Sequence, residues 1–257
     1  MFEVEDLAVA SPATVSRCGM VYMEPESLTL RPLIDSWMNT LPPKVLANTF
    51  IVKTLDALWT DMLEEGCYFL RKNLPEIVKT VDNNVTQSCM RLIDCFLKKY
   101  YDTEVKKITN DQIEGLSAQI KSIFMFSFLW SIGGTTDLVG RGRFDKWLRE
   151  RMTKHGVNFP EENTVYDWHF NPDKNEWQKW FDTIPTYDVD TRLSYSEIVV
   201  PTEDSIRMKY LMKTLMSNDS HVLMPGPTGT GKSVYVQQLT TYGMPEEFLT
   251  LIMCFSA

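Results

Sequence analysis

The sequence is poor in the residues from which metal centres and disulfide frameworks are built. Its three histidines lie far apart, and none of its cysteines stands at metal-ligand spacing. The cysteines are odd in number and scattered along the chain: Cys18, Cys67, Cys89, Cys95 and Cys254. This pattern is typical of reduced thiols in a cytosolic protein, and it argues against a zinc site or a disulfide-stabilised secreted domain.

Long hydrophobic runs and an excess of positive charge are also absent. The most apolar run, residues 123–132, is about half as long as a membrane span, so we interpret it as a buried helix. The first six residues are acidic and do not resemble a signal peptide. The net charge of −8 argues against a general nucleic-acid binder. We therefore expect neither a membrane nor a nucleic acid among the partners.

One motif with a clear chemical meaning is present. It matches the phosphate-binding pattern G-x-x-x-x-G-K-[ST] and consists of Gly226, Pro227, Thr228, Gly229, Thr230, Gly231, Lys232 and Ser233. The glycines permit a tight turn, and backbone N–H groups at the start of the next helix face the phosphates. Lys232 is expected to reach the β- and γ-phosphates, and the Ser233 hydroxyl is expected to hold Mg²⁺.

The surroundings of this P-loop support the interpretation. Residues 220–224 predict a buried strand before it, and residues 234–239 predict a helix after it, which is the order that the motif requires. Residues 249–255 predict the next buried strand. The sequence has no later acidic strand to complete a Mg²⁺ site, so we expect the isolated chain to bind nucleotide without measurable hydrolysis. A complete small kinase is excluded because no chain is left for an acceptor site.

The remainder predicts mostly helices. Apolar residues recur at three- and four-residue spacing between residues 31 and 155, which indicates about five amphipathic helices. Another helix is predicted over 205–215. Near the N-terminus, Ser11 and Pro12 favour a very short helix that ends at Gly19, with Arg17 at its exit and a strand over 20–23.

Residues 156–200 have a different character. Prolines interrupt them, the helical periodicity is lost, and residues 168–177 predict a small β-turn unit. The tryptophans here, Trp168, Trp177 and Trp180, have two interpretations. They could bind carbohydrate or peptide, but packing of a connecting segment against its neighbours is favoured.

Two segments resemble the dynein heavy chain, of an axonemal and inner-arm-like type. They are residues 2–22, with the specific Ser-Pro-Ala-Thr-Val-Ser-Arg-Cys-Gly stretch, and residues 198–257 with the P-loop. The resemblance implies an α-rich α/β fold: an AAA+ P-loop NTPase fragment whose helical lid subdomain is flanked by two partial α/β large subdomains. Residues 1–30 would end the large subdomain of the second AAA+ module, 31–155 form its lid, 156–200 connect to the third module, and 201–257 begin the third module's P-loop core.

The same resemblance implies roles for particular residues. Arg17 takes the place of an arginine finger that acts on the neighbouring first module. Adenine would pack on Val199, Val200 and Pro201, and the P-loop would bind ATP or ADP with Mg²⁺.

For the whole protein, the resemblance implies a microtubule minus-end-directed motor ATPase that drives ciliary and flagellar movement. The third-module P-loop would have a regulatory role. The partners would be the neighbouring AAA+ modules, the dynein intermediate and light chains, and microtubules through parts outside this chain. The location would be the cytoplasm, the cytoskeleton and the axoneme of a cilium or flagellum. The alternative is a freestanding nucleotide-dependent scaffold or binding protein with an incomplete P-loop domain.

Overall fold

The computed structural model describes residues 7–19, 21, 29–101, 108–187 and 198–254. Within these residues the chain is rich in helix, as predicted, and its named strands form one two-stranded sheet. The elements, in chain order, are α1 (Pro12–Val15), α2 (Arg31–Met38), α3 (Pro43–Leu46), α4 (Thr49–Asn73), α5 (Asp82–Leu97), α6 (Asn110–Ile132), α7 (Leu138–Lys154), β1 (Trp168–Asn171), β2 (Glu176–Lys179), α8 (Glu203–Met216) and α9 (Lys232–Gln238).

Helix α6 lies at the centre of the helical domain and packs against both α4 and α5. It begins at a capping box, in which Thr109 Oγ1 accepts from the Gln112 N–H and the Gln112 side chain accepts from the Thr109 N–H. Seven consecutive residues, 123–129, are buried, so this part of α6 has no solvent-facing side. This burial explains why the sequence has no polar face over these residues. The prediction of a buried helix is confirmed.

Helices α4 and α6 approach each other closely. A Cβ atom at Gly66 of α4 would lie only 2.4 Å from Phe128 Cζ of α6. Nearby, Trp59 and Phe124 meet edge to face with ring centroids 4.9 Å apart. Aromatic rings in this arrangement stabilise the contact beyond the area they bury.

Helix α7 is joined to α4 by stacked rings and by polar pairs, and the ring centroids of Phe69 in α4 and Trp147 in α7 lie 5.4 Å apart. Arg151 lies 2.6 Å from Glu65, and His155 Nε2 lies 2.8 Å from Asp61 Oδ2. The sequence predicted only a short helix here, because its apolar positions are few. The helix is longer, since Asp137 caps its first turn by accepting from the Gly140 N–H.

The segment after α7 forms an antiparallel hairpin, and the predicted β-turn unit is confirmed. Strands β1 and β2 pair from Trp168 with Lys179 to Asn171 with Glu176. Trp180, which follows β2, is only 1% exposed and stacks on His169 with ring centroids 4.6 Å apart. The tryptophans of this region pack against neighbouring rings, as the favoured interpretation predicted.

At the N-terminus, the predicted short helix is confirmed as α1. Ser11 caps it through its side chain, and Pro12 occupies the first turn. The strand predicted over 20–23 lies outside the described residues apart from Val21, which belongs to no strand. Helix α1 buries none of its residues.

Both strands predicted beside the P-loop are wrong for the described residues. Residues 220–224 and 249–254 are extended without forming strands, and Leu223 and Leu249 are 88% and 99% exposed. A strand is stabilised by hydrogen bonds to a neighbouring strand and by cover on its faces. Among the described residues nothing pairs with these segments, so their apolar composition alone does not place them in a sheet.

Candidate nucleotide-binding site

The P-loop connects the extended residues 220–224 to helix α9. Two of its glycines adopt left-handed backbone conformations, Gly229 with φ of +81° and Gly231 with φ of +80°. Residues with a side chain rarely adopt such angles, so these positions favour glycine. Gly231 is also the N-cap of α9 and offers no side chain to its first turn. The N–H groups of that turn are thus left without a side-chain cap.

Lys232 is folded back over the loop that precedes it. Its ammonium donates to the carbonyl oxygens of Gly226, at 2.8 Å, and of Pro227, and to Thr230 Oγ1 at 3.2 Å. The only positive charge of the motif therefore lies inside the loop. Thr230 is held as well, because its hydroxyl donates to the Pro227 carbonyl at 3.0 Å.

Ser233 follows Lys232 in the first turn of α9. Its side chain is exposed and makes no hydrogen bond with the described part of the chain. A free hydroxyl at this position can act as an oxygen ligand for a hard cation such as Mg²⁺. In the described ranges, no group of three or more histidine, cysteine, aspartate or glutamate side chains is placed to hold a metal ion.

The segment predicted to face adenine lies directly before α8. Val199 and Pro201 are half-buried and Val200 is 56% exposed. Thr202 then caps α8 by accepting from the Ser205 N–H. Helix α8 also contacts α9, and Lys209 Nζ donates to Gln238 Oε1 at 2.5 Å. One helix thus connects this segment to the helix that begins at the P-loop.

Arg17 lies apart from the P-loop in the sequence and in its contacts. It follows α1 by two residues, and its backbone N–H donates to the Thr14 carbonyl at 3.2 Å. Its side chain is exposed and forms no hydrogen bond or ion pair with the residues that the structure describes. The guanidinium is therefore available to a group outside the described residues.

Sequence reasoning missed the residues that attach α8 to the helical domain. Tyr210 packs between Trp180, at 5.2 Å between ring centroids, and Phe126, at 6.2 Å. Arg207 is only 5% exposed and lies over the Trp130 ring, and burial lowers the pKa of its guanidinium. The sequence predicted a helix here, but no local signal identified the distant rings that cover Arg207 and Tyr210.

None of the described helices is long and apolar enough to cross a membrane. The five cysteines form no disulfide, and Cys67 and Cys89 are buried. Burial raises the pKa of the Cys67 thiol to about 12.

Two family models match the chain. Residues 55–182 match the dynein heavy chain AAA lid domain, and residues 187–257 match the P-loop containing dynein motor region. The first match covers the central helices and the hairpin. The second covers α8, the P-loop and α9.

Curated relatives match the chain from end to end. Dynein axonemal heavy chain 1 of Homo sapiens is 37% identical over 276 residues, which cover 100% of this chain and 6% of the relative. The Mus musculus protein of the same name is 37% identical over 280 residues. Dynein axonemal heavy chain 3 of Homo sapiens is 32% identical and is covered to 7%. The chain therefore spans a small part of the length of these relatives.

Proposed function

The chain belongs to the dynein heavy chain family, and we propose that its P-loop binds ATP or ADP with Mg²⁺. The observation that carries this proposal is the loop itself: two left-handed glycines, one lysine and a helix start without a side-chain cap. Such a start attracts anions through its free N–H groups and its dipole. The match to a P-loop containing motor region supports nucleotide as the ligand.

Each residue of the loop has a defined part in this proposal. Gly229 and Gly231 let the backbone approach the phosphates closely. Lys232 exchanges some of its contacts with loop carbonyls for phosphate oxygens, and the Ser233 hydroxyl binds Mg²⁺. Val199, Val200 and Pro201 pack on adenine. Their half-exposed side chains, next to a helix that contacts α9, support this assignment.

We assign Arg17 to the nucleotide site of another module. Its exposed side chain, which pairs with none of the described residues, supports a role outside them, and the surrounding sequence resembles the finger region of the second module. Residues 1–30 then end the large subdomain of that module, 31–155 form its lid, 156–200 connect to the third module, and 201–257 begin the third module's P-loop core.

At the level of the whole protein, we propose a ciliary or flagellar motor. The names of the relatives carry the word axonemal, which supports a location in the axoneme. The inner-arm-like role in microtubule-based movement rests on the resemblance of the sequence alone. The intermediate and light chains, the neighbouring AAA+ modules and the microtubule are then its partners. The cytoplasm and the cytoskeleton complete the proposed location.

The first test replaces Lys232 in the complete heavy chain. Lys232→Ala should abolish nucleotide occupancy at the third module, because Lys232 is the only positively charged residue of the loop. Occupancy is measured by quantifying bound nucleotide after rapid desalting, with Lys72→Ala as a control at an exposed lysine outside the site. Unchanged occupancy in the Lys232 variant would show that the loop is not the binding site.

The second test separates Arg17 from the P-loop. Arg17→Ala in the complete heavy chain should slow steady-state hydrolysis about 10²-fold or more while leaving third-module occupancy intact. Arg17→Lys should recover only part of the rate, because a lysine lacks the planar fork of a guanidinium. If hydrolysis by Arg17→Ala equals that of the parent, Arg17 is a surface residue.

A further inference from the structure

A cleft of about 650 Å³ opens between the helical domain and α8. One wall comes from α5 and α6, the other from the C-terminal half of α8, and the hairpin turn lies at one end. Its apolar lining includes Phe96 and Tyr210, which are half-buried and keep part of their rings accessible. Leu116 and Ile123 also line it but are only 2% and 1% exposed, so they support the lining from within. This volume is within the range of sites that take one large side chain together with its neighbours.

The rim of the cleft concentrates positive charge on an acidic chain. Three lysines line it, Lys98, Lys99 and Lys213, against one carboxylate, Asp173, whereas the whole chain carries a net charge of −8. Lys98 is engaged, because it donates to the Ser217 carbonyl at 2.9 Å. Lys99 lies over the ring of its neighbour Tyr100, and Lys213 has no charged partner in the described ranges. Two exposed ammonium groups are therefore available to a ligand.

We propose that this cleft is the docking site of an acidic peptide segment from a partner protein. An apolar side chain of the peptide packs on Phe96 and Tyr210, and its carboxylates face Lys99 and Lys213. Apolar contact supplies the affinity, while the complementary charge selects acidic partners and speeds their association.

The proposal commits to an acidic peptide because the lining joins apolar side chains to the exposed ammonium groups of Lys99 and Lys213, and such a peptide matches both. A peptide bound there contacts the helical domain and α8 together. This inference is independent of the nucleotide site, which lies at α9. A negative result for the peptide cleft therefore does not affect the nucleotide proposal, and the reverse also holds.

The test is a selection of 12-residue peptides from a random phage-displayed library against the 257-residue chain. Enriched peptides should carry net negative charge and one large apolar residue. Their dissociation constants are then measured by fluorescence anisotropy, and hydrogen exchange should show protection of residues 98–100 and 213–218. Replacing the apolar residue by alanine should weaken binding at least about tenfold.

Two matched double variants locate the site. Lys99→Glu with Lys213→Glu should raise the dissociation constant at least about tenfold. The control variant, Lys72→Glu with Lys79→Glu, makes the same change in net charge at exposed lysines away from the cleft. Its dissociation constant for the peptide should differ from that of the parent chain by less than about twofold. Circular dichroism checks that both variants fold. Enrichment of neutral or basic peptides, no enrichment at all, or an equal loss in both variants would overturn the proposal.

Discussion

At the scale of single residues, His169 shows how burial changes the pKa of a side chain. It lies in β1, is 7% exposed, and neither ring nitrogen makes a hydrogen bond of good geometry. Trp180 stacks on one side of the ring, and Tyr210 lies 5.7 Å away. Burial penalises the charged imidazolium, so the pKa of His169 falls below its ordinary value of 6.5.

This shift predicts a dependence of stability on pH. Below about pH 6.5 the unfolded chain binds a proton that the folded His169 resists, so the free energy of unfolding decreases as the pH falls. His169→Phe removes the proton site and keeps a stacking ring, so its stability should decline less between pH 7 and pH 5.5. Urea denaturation at a series of pH values measures this.

The same substitution at His221, which is exposed, is the control and should leave the pH dependence as it is in the parent chain. A His169→Phe variant that loses stability with acid as steeply as the parent would contradict the assignment of this shift to His169.

At the scale of elements, Gly66 and Gly115 both lie inside helices, but the space around them in the fold differs. Gly66 faces Phe128 across the contact between α4 and α6, at a distance that leaves no room for a Cβ atom. Gly115 of α6 is exposed and has open space around it. In an isolated helix, alanine is favoured over glycine at both positions by about 1 kcal/mol.

The two positions should therefore respond with opposite sign. Gly66→Ala should destabilise the chain by about 1–3 kcal/mol, because Phe128 or the helix itself must move. Gly115→Ala should stabilise it by up to about 1 kcal/mol. Chemical denaturation of both variants and the parent measures the difference. Equal stabilisation by both changes would show that α4 and α6 do not approach closely at Gly66.

The elements also show which parts of the fold are predictable from the sequence. Helices α4, α5 and α6 were predicted because a repeating apolar pattern is a property of the local sequence. The length of α7 was missed, since its apolar positions cluster around Trp147, while its C-terminal turn is held by a polar pair, Arg151 with Glu65 of α4. The two predicted strands failed for a related reason: a strand requires a neighbour that its own residues do not specify.

At the scale of the whole molecule, those two apolar segments carry a prediction. Relatives extend far beyond the part that this chain matches, so a longer segment of the same heavy chain should supply neighbouring strands. Hydrogen exchange at Val222 and Leu223 should then be fast in the 257-residue chain and strongly slowed in the longer segment. The amides of α6 should be protected equally in both. Equally fast exchange at Val222 and Leu223 in both proteins would contradict a shared sheet.

The sequence by itself determined the helices, the hairpin, the P-loop and the family, because capping residues, apolar periodicity and glycine positions act over a few neighbouring residues. The tertiary structure decided the rest. It joined Lys98 to Ser217 across 119 residues of sequence and formed the cleft beside α8. These features depend on residues that meet only after folding, and no local pattern in the chain specifies such pairs.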